Sequence, residues 1–190
     1  MAKKVKFGFK NLYYSVVTDS GSAITYAAPV ALPGAVSMSA TPRTYDNPFE
    51  ADDNEAFARF RGLQGYDITL DLTALPDTFL TSVLGQTANA NDGIVTEATT
   101  DVIKRVAILG ERQVYTDGTA SKELFAFLYC LPNVPNYEVE TASGKTPKTV
   151  SLSLAADPHP YSGKTKVITA DNTITDTLSG WFAADAEWMA

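Results

Sequence analysis

Few side chains in this chain could carry chemistry. It has one histidine, His159, and one cysteine, Cys130. A catalytic triad would have to use His159 as its base, and a structural zinc site would need several Cys or His ligands. His159 lies between two prolines in Asp157–Pro160, which indicates a rigid turn, and Cys130 lies in an apolar run typical of a core. We therefore expect no enzyme activity, no metal and no cofactor, with a small hydrolase that uses His159 as an alternative.

Acidic side chains are concentrated between Asp46 and Glu55, where five of ten residues are Asp or Glu. Calcium prefers oxygen ligands, but this segment lacks the ligand spacing and central glycine of a calcium-binding loop. The stretch Pro42–Glu55 also contains two prolines and no apolar periodicity. We predict an extended loop over residues 42–57, and loops of this length are usually functional or mobile.

The charge of the chain is acidic overall and unevenly distributed. Its 15 Lys and Arg residues stand against 22 Asp and Glu residues, which gives a net charge of −7. This balance argues against non-specific binding to nucleic acid or to anionic membranes. Four lysines lie in the first ten residues, whereas none of the residues after Lys166 is basic. A basic start and an acidic end permit head-to-tail attraction between copies.

Three segments alternate apolar and polar residues as half-buried antiparallel strands do: Ala35–Thr41, Tyr66–Ala74 and Thr149–Ala156. Their outward positions are short hydroxyl or carboxylate side chains without Lys or Arg, namely Ser37, Ser39, Thr41, Asp67, Thr69, Asp71, Thr73, Thr149, Ser151 and Ser153. Such a face lets a polyanion pass without sticking, because it offers phosphate no cationic partner. Ordinary solvent exposure is the alternative explanation.

Other segments predict the rest of the fold. Lys4–Val17 alternates with one change of parity, which predicts a strand with a bulge near Lys10–Asn11. Val102–Leu109 and Leu124–Leu131 are apolar on both faces, as central strands buried on both sides are. A short helix is predicted over residues 75–85, where Pro and Asp open an apolar helical stripe and Gly ends it.

The order of these elements predicts a mainly β protein. We expect an antiparallel β-sandwich or open barrel with a flanking short helix, built as a single domain of residues 1–190. A weaker helical spacing recurs from Ile174 to Trp188, within a C-terminal segment of residues 171–190. No apolar run approaches the roughly 20 residues of a membrane span, and the start lacks the apolar centre of a signal peptide.

Long ordered stretches of the chain resemble a known family, the major tail protein of long, non-contractile-tailed bacteriophages of the phi-thirteen type. The likeness covers nearly all of the chain up to about Pro160. It is carried by the segments KKVKFGFKNLYYSVVTD, TYAAPVALPGAVSMSATP, NPFEADDNEAFA, GLQGYDITLDLTALPDTFLTSVLG, ELFAFLYCLPNVPNYEVET and KTPKTVSLSLAADPHP. The resemblance implies a virion protein of the phage tail, made in the cytoplasm of the host bacterium.

The resemblance also implies partners. In the family, six copies form a ring whose inner sheets join into a continuous barrel, and rings stack into a tube that conducts double-stranded DNA. The partners would be further copies, a tape-measure protein, other tail proteins and DNA that passes without specific binding. The family has no catalytic residues to transfer, and we expect the outward polar positions to line the lumen. We expect the acidic segment to reach an adjacent ring through Arg43, Thr44, Tyr45, Asp46, Asn47, Pro48, Phe49, Glu50, Asp52 and Asp53.

A different class of function remains open on the residues alone. A monomeric β-sandwich that binds a sugar or a protein, or decorates a virion or cell surface, would have the same strand pattern. Such a module would show an exposed aromatic patch.

Overall fold

The computed structural model describes residues 3–51, 54–138, 148–169, 178–182 and 188. Most of its elements are strands, with two short helices. In chain order they are β1 (Lys4–Asp19), β2 (Ile24–Tyr26), β3 (Val30–Ala31), β4 (Ala35–Ala51), β5 (Asn54–Leu72), α1 (Asp77–Ser82), β6 (Thr87–Ala88), β7 (Val95–Thr96), β8 (Val106–Thr116), β9 (Thr119–Pro132), β10 (Val150–Ala156), β11 (Lys166–Ile168) and α2 (Leu178–Trp181).

One antiparallel sheet contains nine of these strands. Its main path runs β2-β1-β8-β9-β10-β5-β4, with β3 beside β1 and β11 beside β9, while β6 and β7 pair separately. Leu12 from β1 and Leu70 from β5 enter the same buried core, so the two halves of the sheet curl towards each other. The described strands do not close into a barrel. The prediction of a mainly β, antiparallel fold with one flanking helix is confirmed.

The short helix fills the inside of this curl. Phe79, Val83 and Leu84 at and just beyond α1 are almost completely buried, in the same core as Leu12 of β1 and Leu70 of β5. The ring of Phe79 meets that of Tyr14 edge-on, with centroids 5.0 Å apart. Gly85 has a φ of +79°, a conformation that favours glycine and ends the helical pattern. The helix predicted over residues 75–85 is therefore present.

Residues Val106–Glu111 of β8 and Leu124–Pro132 of β9 are buried or half-buried on both sides, as their apolar sequence predicts. One side faces the core inside the curl, and the other packs against aromatic residues from the end of the chain. Trp181 and Trp188 cover this outer side, and Nε1 of Trp188 donates a hydrogen bond to the carbonyl of Trp181 at 2.7 Å. Strand β8 begins at Val106, four residues later than the predicted start at Val102, and the side chain of Val102 is 73% exposed. Most of the predicted tail helix, including Ile174, lies outside the described residues.

The predicted bulge in β1 is present. The pairing of β1 with β8 shifts register between Phe7 and Phe9 and again between Lys10 and Tyr13. Asn11 lies inside the second shift with a φ of +53°. An extra residue in one strand bends the strand and changes which side chains face the core, which explains the change of parity in the sequence.

The extended loop predicted over residues 42–57 is wrong. Strands β4 and β5 pair along a single long hairpin, from Ala35 with Leu72 to Ala51 with Asn54. We call the part beyond Arg43 and Gly65, residues 44–51 and 54–63, the hairpin arm. Over residues 44–49 and 57–63 the side chains on both sides of this arm are exposed or half-buried, so its sequence lacks the apolar alternation that marks a half-buried strand. Asp52 and Asp53 lie outside the described residues.

Candidate functional site

The three predicted polar faces form one continuous surface. Strands β10, β5 and β4 are neighbours in the sheet, and their outward residues lie in register as Ser151, Asp71 and Ser37, then Ser153, Thr69 and Ser39. A third row holds Ala155, Asp67 and Thr41. We call this surface the polar face, comprising Ser37, Ser39, Thr41, Asp67, Thr69, Asp71, Ser151 and Ser153. Thr73 and Thr149 are exposed just beyond the strand ends.

Short side chains make the polar face smooth and acidic. The hydroxyl of Ser37 donates a hydrogen bond to Oδ2 of Asp71 at 2.6 Å, which fixes that carboxylate across the β4–β5 pair. The opposite side of the same strands carries Ile68, Leu70 and Leu152, all buried. The alternation therefore divides the strands into a packed side and a hydrated side that bears carboxylates and hydroxyls.

Sequence reasoning placed Arg43 in a loop, whereas the structure places it on the polar face. Arg43 continues the alternation Ser37, Ser39, Thr41 along β4, which is the signal that could have revealed its position. Its Nε lies 3.2 Å from Oδ1 of Asp67, and its Nη2 lies 2.7 Å from Oδ1 of Asp157. The guanidinium of Arg43 is thus paired with two carboxylates.

Asp157 connects Arg43 to a second arginine. Nη1 of Arg105 donates to Oδ2 of Asp157 at 2.8 Å, and the Arg105 guanidinium lies over the Tyr129 ring, 4.2 Å from its centroid. Burial alone would raise the pKa of Asp157, but hydrogen bonds from Arg43 and Arg105 outweigh it and lower the pKa below its ordinary value. The carboxylate stays ionised and holds the base of the hairpin arm to the end of β10.

The hairpin arm exposes aromatic side chains on one side. Beyond Gly65 the register shifts by one residue, and Tyr45, Asn47 and Phe49 pair with Gly62, Phe60 and Ala58. Residues that pair directly point to the same side of a sheet, so Tyr45, Phe49 and Phe60 share one side of the arm. Phe57 is also exposed and lies beyond the last of these pairs, next to the second register shift. Phe49 is 53% exposed and Phe60 is 59% exposed.

The other side of the hairpin arm is charged. Oδ1 and Oδ2 of Asp46 accept hydrogen bonds from Nε of Arg59 at 2.7 Å and from Nε of Arg61 at 3.1 Å. The hydrogen bond from Arg59 is the main reason that the pKa of Asp46 lies below its ordinary value. These ion pairs link β4 to β5 in a part of the hairpin that has no apolar core of its own.

The side chains considered for chemistry have structural contacts. Nδ1 of His159 accepts hydrogen bonds from the backbone N–H groups of Tyr161 and Ser162, at 3.3 and 3.1 Å. Cys130 is fully buried, and burial raises the pKa of its thiol. Among the residues that the structure describes, no three His, Cys, Asp or Glu side chains come together as a metal site would need. Within the same residues, neither helix has the length and apolar character to cross a membrane.

Comparisons with known proteins find a likeness among solved structures. No family model and no curated protein matches the chain. Among solved structures, the chain is similar to the tube-terminating cap of the anti-feeding prophage, determined by cryo-electron microscopy. The TM-score is 0.41 with 13% sequence identity, and the match covers 87% of this chain and 93% of that chain.

Proposed function

We propose that this chain is a structural subunit of a phage tail tube, which assembles into rings that stack around a channel for double-stranded DNA. The observation that carries the proposal is the polar face, a hydrated surface shared by three adjacent strands. DNA is a polyanion that binds strongly wherever Lys and Arg contact its phosphates. On this face the acidic residues repel phosphate, and the guanidinium of Arg43 is already paired with Asp67 and Asp157.

The position of β4 supports assembly into a ring. It is the last strand of the main path, and within the described chain its strand partner is β5 alone. An edge strand of this length leaves backbone N–H and C=O groups without sheet partners, which is normally an aggregation hazard. Edge-to-edge contact with further copies satisfies those groups, and a head-to-tail contact that closes on itself gives a ring.

The hairpin arm supports contact between rings. It leaves the sheet at Arg43 and Gly65, beyond the last pair that joins β5 to β10. Its exposed aromatic residues, including Phe49 and Phe60, are of the kind that binding surfaces use. We propose that the arm reaches a subunit of the adjacent ring, and that the chain performs no catalysis.

Electron microscopy of the purified full chain tests the proposal. The matched variant replaces residues 44–64 by Asn-Gly, which removes both strands of the hairpin arm and closes the remaining pair, Arg43 with Gly65, by a two-residue turn. We expect tubes from the unmodified chain, and separate rings from the shortened one. A chain that stays monomeric and does not join tail tubes in a phage lysate would favour a monomeric binding or decoration module instead.

A further inference from the structure

A groove opens where the curled sheet fails to close. It lies between β4 on one side and β1, β8, β9 and β11 on the other, and has a volume of about 310 Å³. Phe9, Met38, Phe125 and Ile168 supply its apolar lining, and Ile168 is 44% exposed. Pockets of about 300–1,000 Å³ hold small ligands, so the groove has room for one or two aromatic rings.

The groove has a cationic rim in an acidic protein. Glu123 is buried there between Lys6 and Arg112, so two cations share one carboxylate. Lys166 also lines the groove, with its Nζ 4.9 Å from the centroid of the Tyr66 ring. The rim therefore carries an excess of positive charge, although the net charge of the whole chain is −7.

The end of the hairpin arm has the opposite character. Residues 50–55 contain four acids and no base. Nearby, Phe49 and Phe60 present aromatic rings on one side of the arm. An aromatic pair beside a run of carboxylates complements an apolar groove with a cationic rim.

An arm cannot reach the groove of its own chain. Met38 and Ala40 line the groove and belong to β4, the same strand that continues into the arm. Phe49 lies nine residues beyond Ala40 on this extended strand, so about 30 Å separates the Cα atoms of the two residues. The occupant must come from another molecule.

We propose that the groove receives the end of the hairpin arm of a second copy. Phe49 and Phe60 enter the apolar floor, and the acids of the arm meet Arg112 and Lys166 at the rim. The contact is head-to-tail, because each copy donates an arm and offers a groove, and such contacts propagate when they do not close. This inference rests on the proposed stacking role of the arm and names the site that receives it.

Charge reversal tests the proposal in the full chain. The arm variant carries Glu50→Lys and Asp53→Lys, and the groove variant carries Lys166→Glu at the rim. The matched control carries Lys104→Glu, at an exposed position outside the groove. We expect the arm and groove variants each to lose long tubes in electron micrographs, and the control to keep them.

Combinations of the two variants sharpen the test. In a mixture of arm and groove variants, the native arm fits the native groove and the reversed arm fits the reversed groove, so long tubes should return. A chain with both reversals should form tubes again, because the charges are complementary once more. Long tubes from the groove variant, or no recovery in the doubly reversed chain, would overturn the proposal.

A disulfide experiment separates this inference from the tube itself. Phe49→Cys with Ile168→Cys should give a ladder of linked chains on oxidation, whereas Phe49→Cys with Ile94→Cys should not. The buried Cys130 is shielded from the reaction. A ladder without tubes would support the docking contact and contradict the tube, whereas tubes without a ladder would support the tube and overturn the docking contact.

Discussion

Arg43 reaches Asp157 across an intervening strand: Nη2 of Arg43 on β4 lies 2.7 Å from Oδ1 of Asp157, just after β10, although β5 lies between them. The guanidinium passes over Gly65, where a Cβ atom would collide with it and with the carbonyl of Ala156. A residue without a side chain is therefore needed at this point. The crossing fastens the base of the hairpin arm to a third strand.

Gly65→Ala should destabilise the protein by more than the strain of placing alanine at a positive φ. The φ of Gly65 is +146°, which strains any other residue, and the added methyl group would also displace Arg43. The control is Gly93→Ala, where φ is +70° and a Cβ would meet nothing within 4 Å. We expect a free energy of unfolding lower by about 2 kcal/mol in the Gly65 variant than in the control, measured in urea. If both variants lost the same free energy of unfolding, Arg43 and the Ala156 carbonyl would be able to move aside for the added methyl group at little cost.

Glu123→Gln should reduce the dependence of stability on acid pH. Burial raises the pKa of Glu123, but hydrogen bonds from Lys6 and Arg112 outweigh it and bring the pKa below its ordinary value of 4.5. A depressed pKa in the folded state stabilises the protein above pH 4.5, and this stability is lost as the pH falls through the folded-state pKa.

At pH 7 the Gln variant should therefore be less stable by about 1–3 kcal/mol, and the difference should narrow towards pH 3. Urea unfolding at several pH values measures this. Glu97→Gln, at an exposed position, is the control and should follow the unmodified chain. A constant difference across this range would mean that Glu123 acts through packing and not through its charge.

Trp188→Ala should uncover the outer side of the central strands. Trp188 is 3% exposed, stacks edge-on against Tyr26 and covers β8 and β9 with Trp181. Loss of a buried aromatic side chain costs about 3–5 kcal/mol. Tyr137→Ala, at a side chain that is 92% exposed, should change the stability by less than about 0.5 kcal/mol. Thermal unfolding compares the two, and a small effect of Trp188→Ala would mean that the cover is dispensable.

Thr69→Lys should make assembled tubes retain DNA. Thr69 lies in the central row of the polar face, between Ser153 and Ser39. A ring of added lysines would bind phosphate, and that binding should weaken steeply with salt. Co-sedimentation of tubes with double-stranded DNA, at low and high salt, measures the effect. Thr96→Lys on β7 is the control, and equal DNA binding by both variants would place the polar face outside the channel.

The strands that divide a core from solvent could be predicted from sequence. Burial alternates along Tyr66–Leu72 and Val150–Ala156, so the apolar period directly indicated the packed side. The double-sided burial of β8 and β9 was visible in the same way, as a continuous apolar run. That the three polar faces would be neighbours was not visible, because strand order depends on contacts distant in sequence.

The hairpin arm could not be predicted by the same reasoning. Over residues 44–49 and 57–63 its strands are exposed or half-buried on both sides, and Pro42 and Pro48 suggested an interruption. Proline is tolerated in an edge strand, where its missing N–H faces away from the ladder. The ion pairs of Asp46 with Arg59 and Arg61 replace the absent core, and residues 13 and 15 positions apart carry no local periodic signal.

The extra residue at Gln64, opposite the step from Arg43 to Thr44, constrains how the hairpin arm can change in length. Side chains alternate along a strand, so one added or removed residue in β4 would rotate Phe49 to the opposite side. Insertions of two residues in each strand would lengthen the arm and keep its aromatic side in place. Variants of this protein with longer or shorter arms should therefore differ by an even number of residues in each strand. A change by an odd number should need a second bulge that restores the side on which Phe49 lies.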